Sequence, residues 1–317
     1  MWINRTSRSR RSILLLALAS LLSLTLIVGL HPCRRKDVYY IANESRPSSI
    51  GNDTVFPHKV WQTWQGNKQL EDEPLRLART WVEMNPGYGY ELLTDDSARS
   101  YITKTFPYRA DILQIWDRTR DYILRADLIR YLVLLGDGGL YTDMDTDCTR
   151  PISEWLSDEQ AKAVDLVVGI EFDTRSDDVR ADMDAAAQLC SWSIMAKPGS
   201  RHIQHVTDTV LARLQELGNT PAGIHAPSID DVLRTTGPRV FTNALLSSMS
   251  KQIGVPITTR NLSYIEEPKV IGSVLILPIS SFASGQEHSA SKPWGNEQQL
   301  LSHHWSGFHT WKLDYDH

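Results

Sequence analysis

Cysteine is scarce in this chain: three in 317 residues, at Cys33, Cys148 and Cys190. Three thiols cannot all pair within one molecule, which excludes a disulfide-built scaffold. In an oxidising lumen Cys148 could bridge Cys190, with Cys33 free or joining two chains; buried thiols are an equally good reading. No C-x-x-C spacing occurs, which argues against structural zinc. Excess positive charge is also lacking. The formal net charge of −5 offers no electrostatic footprint for nucleic acid, so that class of partner is set aside. Internal repeats and low-complexity tracts are absent too. What remains is ordinary for a globular protein, 41% hydrophobic and 22% charged, and long enough for one large domain or two small ones. Ten tryptophans are more than a core asks for. Most should be core, and some should offer flat apolar faces to a base or a sugar.

The uncharged run Ile13–Leu30 is long enough to cross a hydrocarbon core. Arginines flank it on both sides, so charge alone orients it weakly. It ends in HPCRRKD rather than in the small residues of a cleavage site. The sequons Asn43-Glu-Ser, Asn52-Asp-Thr and Asn261-Leu-Ser all follow it. We expect a cytosolic tail over 1–12, an uncleaved signal anchor over 13–30, a lumenal stem over 31–54 and a folded domain over 55–317.

Within that domain FPHKVWQTWQG reads as a buried strand. Leu75, Leu77, Ala78, Trp81 and Val82 have helical spacing, broken at Pro86-Gly87. Tyr88–Leu93 is a second strand, and Asp95 and Asp96 start a second helix. Strands alternating with helices predict an α/β fold with helices on a parallel sheet. Tyr122–Leu135 is an apolar helix ended by Gly136 and Gly138. DLVVGIEFD, SWSIMAKPG and KVIGSVLILPI read as three further strands. SIDDVLRTTGPRVFTNALLSSM is helical with a break at Gly237-Pro238. His202 and His205 lie on a helix and are expected at its solvent or loop side.

Asp127 and Arg130 share one face of the apolar helix. They form either an internal ion pair or a fork for ligand hydroxyls, since carboxylate accepts and guanidinium donates. In GGLYTDMDTD, strand alternation would put Tyr141, Asp143 and Asp145 on one side. An EF-hand is rejected, because the position that needs glycine is Cys148, Pro151 interrupts the loop, and no helix precedes it. An aspartyl phosphatase fits poorly, because Asp147 stands where Thr or Val is expected. Two carboxylates on one strand face would suit a divalent cation bridging a diphosphate.

The compound pattern Arg125-Ala-Asp127-Leu-Ile-Arg130-Tyr131, then Gly138-Gly139-Leu-Tyr141-Thr-Asp143-Met-Asp145, resembles the DXD sugar-binding region of glycosyltransferase family 32. FPHKVWQTW, TGPRVFTNAL and HHWSGFHTWK are similar to that family's opening strand, Gly-Pro segment and tail. Trp61 stands where a histidine is common, and the tail spacing is altered. Within the family the chain most resembles fungal initiation-specific α-1,6-mannosyltransferases of the Golgi.

The resemblance implies a GT-A (Rossmann-like) domain and a single-pass type II Golgi membrane protein anchored by 13–30. It implies retaining transfer of a hexose, mannose from GDP-mannose, to an N-glycan or other glycan acceptor, with Mn²⁺ or Mg²⁺. It also implies roles. Trp64 would stack on the base. Arg125, Asp127 and Arg130 would meet the donor, the last two holding hexose hydroxyls. Tyr141 would touch the sugar-phosphate. Asp143 would bind ribose or metal-bound water, and Asp145 would bind the metal. His304, ahead of His303, would complete the metal shell. Glu171 and Asp173 would meet the acceptor, or are solvated strand-end acids. Asp230 and Asp231 read as helix N-terminal charges. Rival readings are another donor or acceptor in the same family (UDP-galactose, inositol-phosphoceramide), or a silent lectin-like subunit in a complex with other mannosyltransferases.

Overall fold

The computed structural model describes residues 55–66, 70–176, 179, 185–218, 223–226, 228–286 and 290–306. The expected anchor and stem, Cys33 and the sequons at Asn43 and Asn52 lie outside the described residues. Among the described residues no helix is long and apolar enough to cross a membrane.

Buried Val60 and Trp61 open the domain in strand β1 (Lys59–Thr63). Helix α1 (Asp72–Met84) buries Leu77, Ala78 and Trp81, as their spacing predicts, and stops before Pro86-Gly87. Strand β2 (Gly89–Leu93) leads to α2 (Asp95–Thr105), whose Thr94 and Ser97 hydroxyls cap each other's backbone N–H groups. Helix α3 (Ala110–Arg118) and α4 (Tyr122–Gly136) follow. Ten of the α4 side chains are buried, the pattern of a helix covered on all sides. It packs on β1 and on two strands introduced below, and on α2 and later helices.

Strands β3 (Gly139–Thr142) and β4 (Thr146–Cys148) come next, then the short α5 (Asp158–Ala163). Every residue of β5 (Leu166–Asp173) and β6 (Ala187–Ala196) is buried, the signature of central strands covered on both faces. Helices α6 (Arg201–Leu217), α7 (Ile229–Thr235) and α8 (Pro238–Ile253) complete the helical cover, with Gly237 and Pro238 breaking the run where the sequence predicts. Strands β7 (Lys269–Ile271) and β8 (Val274–Leu277), α9 (Ile279–Phe282) and β9 (Leu301–His303) are the last elements among the described residues.

Among the described residues seven strands make one sheet in the order β2-β1-β3-β6-β5-β8-β7, and β4 pairs with β9 in a small second sheet. The fold is α/β as expected, but the sheet is mixed. The β1–β2, β1–β3 and β5–β8 pairs are parallel, whereas β6 runs antiparallel to both β3 and β5. Strands β5 and β6 are consecutive in sequence and adjacent in space, which is the antiparallel arrangement.

Other expectations are decided by the structure as well. KVIGSVLILPI is two strands, β7 and β8, paired around the turn at Gly272-Ser273. His202 does not face solvent. It is fully buried, with Nδ1 2.8 Å from Ser248 Oγ and Nε2 3.1 Å from Ser273 Oγ. Cys148 and Cys190 form no bridge; both are buried free thiols. Asp230 and Asp231 do sit in the first turn of α7.

Candidate active site

The site begins where α4 ends. Val133 O accepts from both Asp137 N–H (3.0 Å) and Gly138 N–H (3.1 Å). Gly138 and Gly139 then take φ of +68° and +98°, the region glycine enters without strain. A Cβ on Gly139 would lie 2.6 Å from Lys59 O, so this glycine lets β3 close against β1. Trp61 Nε1–H fixes the turn by donating to Gly138 O at 2.9 Å.

The strand stops at Thr142, short of the aspartates. Alternation through Asp145 is therefore not what orients them. Asp143–Asp145 form a turn, in which Thr146 N–H and Oγ1–H both reach Asp143 O (3.2 and 2.7 Å). The Thr142 and Thr146 hydroxyls meet at 2.8 Å across its base. Three acids and two small hydroxyl residues make a reversal better than a continued strand, because the hydroxyls satisfy the freed backbone groups.

A chain of charge runs behind this turn. Thr236 Oγ1–H donates to Asp127 Oδ2 at 2.6 Å. Arg130 Nη2 lies 2.9 Å from Asp127 Oδ1 and 3.2 Å from Asp143 Oδ1. Its Nη1 donates to Ser191 O (2.8 Å) and Ser191 Oγ (3.2 Å). Tyr141 O–H donates to Asp143 Oδ1 at 2.9 Å and meets Thr63 Oγ1 at 3.0 Å. The guanidinium sits 5.0 Å over the Tyr141 ring.

Arg130 and Asp127 are buried, so each charge is held out of water and depends on its partners. Burial pushes the Asp127 and Asp143 carboxyls above their ordinary range, and the Arg130 guanidinium pulls both back. Asp145 beside it raises Asp143 further. Burial, and secondarily the Asp143 charge, hold the Tyr141 phenol well above its ordinary value, so it stays a donor.

Irregular pairing supplies the acceptors for this network. The β5–β6 register shifts between Val168 and Ile170 and again between Ile170 and Phe172. Ser191 and Trp192 lie in the shifted stretch of β6, where Ser191 O takes Arg130 and Trp192 O takes Asp143 N–H at 2.9 Å. Such irregularities re-aim backbone and side chains beside sites. Glu171 is buried on β5 in the same stretch, and Gln188 Nε2–H donates to its Oε2 at 2.7 Å. Burial raises its carboxyl; the Gln188 bond and the nearby His303 oppose that.

The tail meets the turn through β4 and β9, with Thr146 opposite His303. This pairing puts His303 Nε2 3.1 Å from Asp145 Oδ1 and His304 Nε2 2.6 Å from Asp147 Oδ1. The expected metal partner His304 is thus engaged with Asp147, and His303 is the imidazole brought to Asp145. His303 packs at a tilt against Trp192 and Trp305, with ring centroids 4.2 Å and 3.8 Å away.

Among the described residues no three His, Cys, Asp or Glu side chains converge to hold an ion by themselves. The donor set nonetheless fits Mn²⁺ or Mg²⁺. Such ions are commonly bound by one or two carboxylates together with substrate phosphates, and Asp143 and Asp145 are half-buried at a turn rather than sealed.

The remaining expected residues spread out. Trp64 is half-buried past the end of β1, its N–H on Leu93 O at 2.9 Å. Arg125 turns toward α2 and α3, with Nη1 3.9 Å from Asp95 Oδ1 and its guanidinium 5.5 Å over Trp116. It does not join the Asp127–Arg130 pair. Asp173 is a loop organiser, accepting from Arg175 N–H (2.9 Å), Ser263 Oγ–H (2.7 Å) and Tyr264 N–H (2.8 Å). It is buried rather than solvated. Sequence reasoning missed Thr236, Ser191 and Gln188. Only Thr236 carried a signal, as the hydroxyl directly before Gly237-Pro238.

Part of the chain matches a known family, and most of it is similar to named enzymes. Residues 72–162 match the family described as "glycosyltransferase sugar-binding region containing DXD motif". The initiation-specific α-1,6-mannosyltransferase of Schizosaccharomyces pombe is 30% identical over 262 residues, 82% of this chain and 64% of that protein. The enzyme of the same name from Candida albicans is 29% identical over 289 residues, 82% of this chain and 73% of that one. Among solved structures, the PaToxG glycosyltransferase is similar at 17% identity with a TM-score of 0.41, covering 64% of this chain and 80% of that one. Residues 72–162 of this chain thus match a glycosyltransferase sugar-binding region containing a DXD motif, within a chain similar over most of its length to proteins named α-1,6-mannosyltransferases.

Proposed function

We propose that this protein is a GT-A-type, metal-dependent hexosyltransferase of the Golgi membrane. It transfers mannose from GDP-mannose, with retention and in α-1,6 linkage, to an N-glycan or other glycan. The observation that carries the reading is the buried chain Asp127–Arg130–Asp143 ending at the Asp145–His303 turn. A buried acid–base fork beside a carboxylate turn is what a hexose joined to a metal-bound diphosphate needs. The names of the two mannosyltransferases described above support the choice of mannose.

Asp127 and Arg130 accept from and donate to hexose hydroxyls, and their burial fixes them before the sugar arrives. Asp145, with His303 beside it, would hold Mn²⁺ or Mg²⁺, and Asp143 would support it from the same turn. When bound, the ion offsets charge on the departing diphosphate. Tyr141, kept protonated, holds Asp143 in place. The acceptor hydroxyl attacks the anomeric carbon from the side of the leaving group. Its oxygen bonds to that carbon, the carbon–phosphate-oxygen bond breaks, and the proton leaves on the diphosphate.

The test is a donor screen. The full chain in detergent is given GDP-mannose, UDP-galactose and other nucleotide hexoses, with Mn²⁺ and a high-mannose N-glycan, and released nucleotide is measured. GDP-mannose should be consumed and the glycan extended. Release from none of the donors would sink the reading.

A further inference from the structure

Trp294 is the tryptophan among the described residues that stays exposed, with 54% of its surface open. A large apolar ring left in water forgoes burial, yet the chain holds this one rigidly in place. Its Nε1–H donates to Ser284 O at 2.5 Å. Asn296 Nδ2–H grips the same loop at Ser284 Oγ (2.7 Å) and Pro293 O (2.8 Å). Gly285 N–H donates to Lys292 O at 2.9 Å. Gly285 has φ +80°, and a Cβ there would fall 1.9 Å from Trp294 Nε1, so the indole lies directly on backbone that only glycine leaves clear. One flank is covered and the polar edge is satisfied, while about half of the residue's surface stays open, at 54%.

The ring stands beside the site. Its centroid is 5.4 Å from that of His304, edge to face. His304 in turn bonds Asp147 through Nε2 and donates its N–H to Asp145 O at 2.9 Å. Trp294 is therefore one side chain removed from the DXD turn, on the tail side, whereas Trp64 lies at the end of β1. A flat apolar face of fixed orientation, with no unmet polar group, matches the C–H face of a pyranose, which stacks on indole and keeps its hydroxyls in water.

We propose that Trp294 is the stacking platform for a hexose of the acceptor glycan. The inference rests on the reading that this site transfers a hexose to a glycan. Gly285 is its positioning residue.

Trp294→Ala and Trp294→Phe in the full chain test it, with melting curves to verify the fold. With GDP-mannose and a high-mannose N-glycan, the Ala variant should raise the KM for the glycan roughly ten-fold. The KM for the nucleotide sugar should move less than about two-fold, and Phe should recover part of the loss. Equal glycan KM in wild type and Ala, or an equal rise in the donor KM, would overturn the proposal while leaving the transferase reading intact. Saturation-transfer NMR with the same glycan needs no turnover. Signal in wild type, loss in Ala and partial return in Phe support the platform. Equal signal in Ala, or none in wild type, rejects it, and neither outcome depends on the donor screen.

Discussion

Replacing Arg130 with methionine should unbalance the site in a pH-dependent way. The guanidinium is shared by Asp127 (2.9 Å), Asp143 (3.2 Å) and Ser191 O (2.8 Å). Methionine fills similar volume but leaves two carboxylates, one of them fully buried, without a counter-charge. Breaking a buried ion pair costs about 3–5 kcal/mol, and the orphaned Ser191 carbonyl adds about 1 kcal/mol or more. For a domain of this size that is a fall in Tm on the order of 10 °C at pH 7.5.

The deficit should shrink in acid. Burial already raises both carboxyls, and Arg130 is what pulls them down. Without it they rise further above their unfolded values. A raised acid favours the folded state at low pH and loses that stability as pH rises, so the variant recovers relative to wild type as pH falls. Urea melts at pH 7.5 and 5.5 measure this, and Arg130→Met/Asp127→Asn should restore part of the loss at pH 7.5. A deficit below about 1 kcal/mol, or one independent of pH, would refute the buried-charge reasoning.

Thr236→Val removes the 2.6 Å donor to Asp127 Oδ2 and should cost about 1–3 kcal/mol; a urea melt equal to wild type would contradict that bond. Gly139→Ala forces a side chain into φ +98° and to within 2.6 Å of Lys59 O. It should lose at least about 1–3 kcal/mol, read as a drop in soluble yield and Tm. Burial holds the His202 imidazole below its ordinary 6.5. The unfolded chain then takes up the proton first, so stability is full above pH 6.5 and declines below it, by up to about 1.4 kcal/mol per pH unit. His202→Gln should flatten that decline in Tm-versus-pH curves; parallel curves would show that His202 carries no part of it.

Local signals were legible in the sequence and distant ones were not. The helix from Tyr122, the strands around Val60 and Tyr90, and the Gly237-Pro238 break follow from periodicity and from residues that forbid continuation. The Asp127–Arg130 pair could be placed on one face because a helix fixes that spacing. The antiparallel course of β6 depends on which strands become neighbours, which no local pattern encodes. The reversal at Asp143–Asp145 looked like alternation because a D-x-D run has period two in either geometry; the Thr142 and Thr146 hydroxyls decide it. The choice between His303 and His304 belongs to the register of β9 on β4, set by residues more than 150 positions apart. The burial of His202 was hidden for the same reason: its serines come from α8 and the β7–β8 turn.

In the proposed function Asp145 holds a divalent ion for a nucleotide sugar fixed by Asp127 and Arg130. This role is tested most directly by GDP release from GDP-mannose across a Mn²⁺ titration, in wild type and Asp145→Asn with matching melting curves. Wild type should turn over only with the ion, saturably, and the variant should fall on the order of 100-fold or more. Turnover that ignores EDTA, or an Asp145→Asn protein as active as wild type, would rule out a metal-binding role for Asp145.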